Sequence, residues 1–208
     1  MVLSGWHANQ YGGHPGQAQS AHTRTLAASV AHSSPAHAVS LPARNDETLA
    51  RLYARPGFLL RRAHQISAAV FEDECRALGL TPAQYGVLTV LQSHPGLGQS
   101  ALARALGFDK VTVLRVLRGL ETRGMVARTP AEGNRRNVAV SLTADGRGVL
   151  RQAQRPAEKA YRRLMRPLDE AQQAQLLELL QLLTGELEEE ARAPFVPPGA
   201  GPDALQKP

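Results

Sequence analysis

The stretch "GFDKVTVLRVLRGLETRGMV", residues 107–126, decides how the chain is read. Val113, Val116, Leu117 and Leu120 recur there at helical spacing, and Lys110, Arg115, Arg118 and Arg123 fall between them. Asp109 stands where an N-cap is wanted, and Gly124 follows the last periodic residue as a stop. Such a helix is either an ordinary amphipathic one with a basic wet side or one built to enter a DNA groove. The residues before it separate the two readings.

A short helix, "QSALARALG", precedes this stretch and ends at Gly107. Two helices joined by a tight turn can cross closely when a small residue sits at their contact, and Ala103 occupies that place. Gly107 follows four residues later, where the turn needs positive φ. Leu102, Leu106, Leu117 and Leu120 complete the core, with Val113 and Val116 turned inward. This is the pattern of a helix-turn-helix. It leaves Lys110, Thr112, Arg115 and Arg118 facing largely outward. In such a motif the second helix enters the major groove and its N-terminal half reaches base edges. Lys110, Thr112 and Arg115 are therefore assigned to base edges or nearby phosphates, and Arg118 to phosphate.

After the helix, "MVARTP" and "NVAVSLT" alternate apolar and polar residues around "AEGNRR", which predicts a β-hairpin. Arg135 and Arg136 lie at its tip and Arg128 on its first strand, a placement that suits a wing on the DNA backbone or in the minor groove. Residues 99–147 hold nine lysines and arginines against four acids, so five of the chain's six net positive charges sit on this segment. An anionic partner, double-stranded DNA, fits that concentration of charge.

The flanking sequence supplies helices. Pro56 opens a helix over 56–79 with Leu59, Ala63, Ile66 and Val70 in phase, and Thr81 caps another over 81–94. Thr143 caps a helix from about Ala144 to Met165. Asp169 caps the last, on which Leu176, Leu179, Leu180 and Leu183 share a face. The expected fold is mainly α with a small β-hairpin wing: a winged helix-turn-helix domain plus a helical dimerisation domain. Its boundaries are a DNA-binding core at 81–142 and dimerisation helices at 47–79 and 143–192. Residues 1–46, rich in Ala, Ser, His, Gly and Gln, read as a disordered tail, and the proline-rich 193–208 as a loose end.

Several classes of function are set aside. No apolar run approaches the roughly 20 residues of a membrane span, and no signal segment is evident, so a cytoplasmic protein is expected. His7, His14, His22, His32 and His37 lie in the tail at irregular spacing without cysteines or a carboxylate cluster, so no metal or other cofactor is expected. No set of nucleophile, base and orienting group is visible, and an enzyme is not expected.

The order of elements over 49–192 resembles the MarR family of winged-helix transcriptional regulators. The motifs carrying the resemblance are "LTPAQYGVLTVL", "SALARALGFDKVTVLRVLRGLETRGMV", "NRR" at the wing tip and "VSLTADGR" opening the following helix. The family's wing motif usually reads Asp-x-Arg, with the Asp bracing the Arg. Here it is Asn134-Arg135-Arg136, which removes the ion pair, and a DNA contact by Arg136 is implied by the resemblance. So is a homodimer made by the N- and C-terminal helices and reading a pseudo-palindrome; the leucine-rich face of 176–187, too long for one short partner helix, agrees with it.

The resemblance further implies a repressor released by a small aromatic or pyridine carboxylate, held between the dimerisation helices and the winged domain. Arg62, His64 and Tyr85 are the candidate pocket residues, offering donors for a carboxylate and an aromatic wall. Two other readings stand beside this one. A winged-helix module could present a generic basic face to an acidic protein. A redox-sensing regulator would use Cys75, although Glu72, Asp73 and Glu74 should raise its pKa.

Overall fold

The computed structural model describes residues 47–131 and 134–199, and the side chains of 47–130 and 138–199. The 1–46 tail and the Arg135 and Arg136 side chains lie outside the described residues. Among these residues seven α-helices and three strands follow in the order α1 (Glu47–Tyr53), α2 (Pro56–Glu74), α3 (Pro82–Ser93), β1 (Leu97–Gly98), α4 (Gln99–Ala105), α5 (Lys110–Thr122), β2 (Val126–Ala131), β3 (Asn134–Leu142), α6 (Ala144–Met165) and α7 (Glu170–Glu186). The fold is mainly α with a three-stranded antiparallel sheet, ordered β1-β3-β2. The α1 helix and the two-residue β1 strand add to the expected order; β1 is too short for any periodicity to show.

Local chemistry accounts for the helix starts. Thr81 and Gln84 cap α3 reciprocally: the Thr81 hydroxyl accepts from the Gln84 N–H, and the Gln84 side chain accepts from the Thr81 N–H. Asp169 and Gln172 do the same for α7, and Pro56 opens α2. Phe71, Cys75, Leu80, Val87, Leu88, Leu91, Leu102, Val113, Leu117, Leu120, Val140, Leu150 and Ala157 form one buried core joining α2 through α6.

Two expectations about packing change. On α2 the residues that face the core are Phe71 and, just past its end, Cys75, whereas Leu59 and Ile66 stay 54% and 43% exposed. The helix is apolar on two faces, and periodicity alone cannot say which face its own chain covers. Likewise none of the 17 residues of α7 is buried, and Leu176, Leu177, Leu179, Leu182 and Leu183 are exposed among the described residues. Residues 193–199, expected as a loose end, follow an irregular path. There the Phe195 N–H donates to Glu188 at 2.6 Å, and the Val196 N–H donates to the Arg104 carbonyl of α4 at 3.0 Å.

Among the described residues no helix is long and apolar enough to cross a membrane.

Candidate nucleic-acid interface

The helix-turn-helix is built from α4, a four-residue turn and α5. Ala103, 6% exposed, lies at the contact between the helices, and its carbonyl accepts from the N–H groups of Leu106 and Phe108 as the chain turns. Gly107 has φ of 60°, in the left-handed region that a β-carbon disfavours. Asp109 then caps α5. Its carboxylate accepts from the Thr112 N–H at 2.7 Å and from the Thr112 hydroxyl at 3.0 Å. These bonds, the backbone one first, hold the Asp109 carboxyl below the usual carboxylate range.

The α5 core face is the expected one: Val113, Leu117 and Leu120 are fully buried, and Val116 nearly so. Lys110, Arg115 and Arg118 are exposed, with no ion-pair or hydrogen-bond partner among the described residues. Thr112, expected to reach DNA, is half-buried, and its hydroxyl is already committed to Asp109. Val111, absent from the expected contacts, is the most exposed large apolar side chain among the described residues, at 76%.

Three other cations of this region, Arg123, Arg128 and Arg147, hold the structure together. Arg123 donates to the carbonyls of Leu78 and Gly79, at 2.6 and 2.7 Å, and so ties the end of α5 to the chain after α2. Arg147 donates to the Leu142 carbonyl at 2.9 Å. Arg128 pairs opposite the fully buried Val140 in the β2–β3 ladder. The two-residue period therefore puts it on the same face as Val126, toward the core. There its Nε lies 2.7 Å from a Glu121 carboxylate oxygen, with the side chain 29% exposed. Nε and Nη2 are buried and neither donates in line, so this is a charge contact and not a formed hydrogen bond. The expectation that Arg128 touches DNA rests on charge alone; strand parity is the signal that distinguishes it from Arg118. Arg135 and Arg136 are the second and third residues of β3.

The far end of α5 is joined to α6 as closely. The Thr143 hydroxyl donates to the Gly124 carbonyl at 2.6 Å and accepts from the Gly146 N–H at 3.0 Å. A β-carbon on Gly146 would stand 2.0 Å from the Met125 carbonyl oxygen, so only glycine allows this approach.

The arrangement is an exposed, capped, basic helix on a rigid core, with a hairpin beside it. The profile of the MarR family matches residues 78–137, from just before α3 into β3. An HTH-type transcriptional repressor of Mycobacterium bovis, Mb2911, is 32% identical over 139 residues, spanning 67% of this chain and 95% of that protein. The chain belongs to the MarR family. Among solved structures, Bordetella bronchiseptica BpsR, described with regulation of its DNA binding by 6-hydroxynicotinic acid, shares 30% identity and a TM-score of 0.60, over 64% of this chain and 94% of that one. The repressor CouR, solved on a 23-mer DNA duplex, shares 30% identity and a TM-score of 0.61, over 67% and 99%. The protein is thus a DNA-binding transcriptional regulator of the MarR type and not an enzyme.

The expected effector residues are not gathered by the fold. Arg62 and His64 are exposed on α2, and the half-buried Tyr85 ring packs on Phe71 at 5.4 Å, its hydroxyl pKa pushed up by burial. A cavity of about 60 Å³ lies between α2, the start of α3 and α6, lined by Ser67, Phe71, Pro82, Ala160, Tyr161 and Leu164. It is well below the ~300–1,000 Å³ of typical small-molecule sites. Cys75 is completely buried, and burial followed by the Glu74 charge pushes its thiol up, opposite to the lowered pKa of an oxidant-sensing cysteine.

Proposed function

We propose that this MarR-family regulator acts as a homodimeric repressor that reads a pseudo-palindromic operator through α5 and the β2–β3 wing, and that a small aromatic or pyridine carboxylate releases it. The observation that carries the DNA reading is the division of labour among the cations. Lys110, Arg115 and Arg118 stand free on one capped helix, while Arg123, Arg128 and Arg147 bind the scaffold. Arg115, in the middle of the exposed face, suits a bidentate contact to guanine; Arg118 and Lys110 suit phosphate. Arg136, next to the wing turn, joins them by family resemblance.

The dimer rests on the open leucines. Leu176, Leu177, Leu179, Leu182 and Leu183 on α7 are 37–58% exposed, and Leu49, Leu52, Leu59 and Leu60 on α1 and α2 add a second apolar surface. Exposed apolar surface of this extent on a regular helix is ordinarily covered by a partner. The family places its two-fold axis on the same N- and C-terminal helices.

The effector class is supported by BpsR, which 6-hydroxynicotinic acid regulates; the cavity between α2, α3 and α6 is smaller than such a ligand needs, so binding would have to widen it. Arg62 is the proposed partner for the carboxylate, with Tyr85 behind the cavity wall through Phe71. A route from that cavity to DNA is built in. Arg123 ties the end of α5 to the chain after α2 and Thr143 ties it to the start of α6, so a displacement of α2 against α6 would act on α5. An effector acts only by binding the displaced dimer better than the DNA-competent one.

The test is binding of the full-length protein to its own upstream DNA and to scrambled DNA, with and without a panel of benzoates and pyridine carboxylates. Selective binding abolished by one compound class is expected. Arg115→Ala should remove the selectivity; equal loss on both DNAs would favour a generic basic face over a base contact.

A further inference from the structure

We propose that Val111 is a specificity-determining residue, reading the C5-methyl group of a thymine in the major groove; the inference rests on the DNA reading given above. Val111 is 76% exposed, while no other large apolar side chain among the described residues exceeds 58%. It is the second residue of α5, within the first turn that Asp109 and Thr112 hold rigid. The core face of the helix, Val113, Val116, Leu117 and Leu120, lies on the opposite side. Nothing in the packing requires valine here. A β-branched residue is also a poorer helix former than alanine, so local propensity does not explain it.

Its neighbours define the surface it belongs to. Arg115 and Arg118 follow four and seven residues later, on the same side of the helix, so the three side chains form one row. At a rise of about 1.5 Å per residue, Val111 and Arg115 are roughly 6 Å apart along the axis, which spans about one to three base pairs at 3.4 Å each. A row of one apolar and two cationic groups matches what a major groove offers: guanine acceptors, phosphates and the thymine methyl. That methyl is the one apolar group by which the groove identifies a base. A branched aliphatic side chain among arginines can exclude water from it, where a polar residue could not.

The experiment uses the full-length protein and a duplex enriched by it from a random-sequence pool. Each thymine is then replaced singly by uracil, which deletes the methyl and leaves pairing intact. The wild type should lose about four-fold in affinity at one thymine per half-site, the worth of one buried methyl. That thymine should lie within about three base pairs of the guanine whose contribution Arg115→Ala removes. Val111→Ala, which loses no packing contact, should bind the thymine duplex more weakly and be indifferent to uracil at that position. Arg115→Ala should keep the uracil effect. If no uracil weakens the wild type, or if Val111→Ala shows the same uracil loss as wild type, the proposal is overturned. Failure to enrich any sequence would remove the groove reading itself and this inference with it.

Discussion

Asp109 holds Thr112 twice, through the backbone N–H at 2.7 Å and the hydroxyl at 3.0 Å, and so fixes the first turn of α5. In the proposed complex that turn presents Lys110 and Val111 to DNA, so the cap supports the contact surface without itself touching a base.

Asp109→Ala should leave the domain folded and reduce the ratio of specific to non-specific DNA affinity, because the first turn frays. Asp109→Asn, still an acceptor, should restore the ratio. The pH dependence follows from the sign of the shift. The folded-state carboxyl titrates below its unfolded value, so the cap is at full strength above the ordinary carboxylate range and is lost as pH falls through the depressed value. Anisotropy titrations of the wild type and the Asn variant across acidic pH should diverge only at that end; coincident curves would count against the cap.

Arg118 on α5 and Arg128 on β2 should behave oppositely. Arg118→Ala is expected to lower the slope of log affinity against log salt by about one unit, without changing Tm. Arg128→Ala removes a half-buried partner of Glu121, and should cost on the order of 1 kcal/mol, or about 2–4 °C in Tm, with the salt slope intact. A salt-slope change in the Arg128 variant would return that residue to the DNA contacts.

The α7 leucines should govern assembly. Leu179→Asp combined with Leu183→Asp places charge on a helix face that is exposed among the described residues. Sedimentation should show monomers in place of dimers, with operator affinity reduced and helical content of the winged domain retained. A dimer that survives both changes would place the interface elsewhere.

Acidification should loosen α2 from α6. Arg163 donates to Asp73 at 2.6 Å and to Glu74 at 3.0 Å, and Lys159 lies 2.8 Å from Glu74. The Arg163 bond, then the Arg76 charge, lowers the Asp73 pKa; Lys159, then Arg163, lowers that of Glu74. Both contributions are therefore complete above the ordinary carboxylate range and disappear as pH falls through the folded values. Arg163→Met should lower Tm near neutrality and flatten its decline in acid. A parallel downward shift at every pH would show that the carboxylates are not the groups involved.

The helix-turn-helix was legible in residues 99–126 because its determinants are local. Ala103 at the crossing, Gly107 at positive φ, the Asp109 cap and the spacing of Val113, Val116, Leu117 and Leu120 each act within a few residues of chain, and all appear as read. The hairpin and the caps at Thr81, Thr143 and Asp169 were legible for the same reason. What the tertiary structure decided was the use of each exposed or charged group. Arg128 and Arg123 looked like Arg115 and Arg118 until Glu121 and the Leu78 and Gly79 carbonyls were seen to hold them. Leu59 and Ile66 kept perfect helical spacing yet face away from the core, while Phe71 and Cys75 face it. Val111 is one of six apolar residues in its helix, and only its exposure sets it apart. Periodicity and turn chemistry depend on near neighbours, whereas burial and charge pairing depend on what the folded chain brings from 40 or more residues away, as from Arg123 to Gly79.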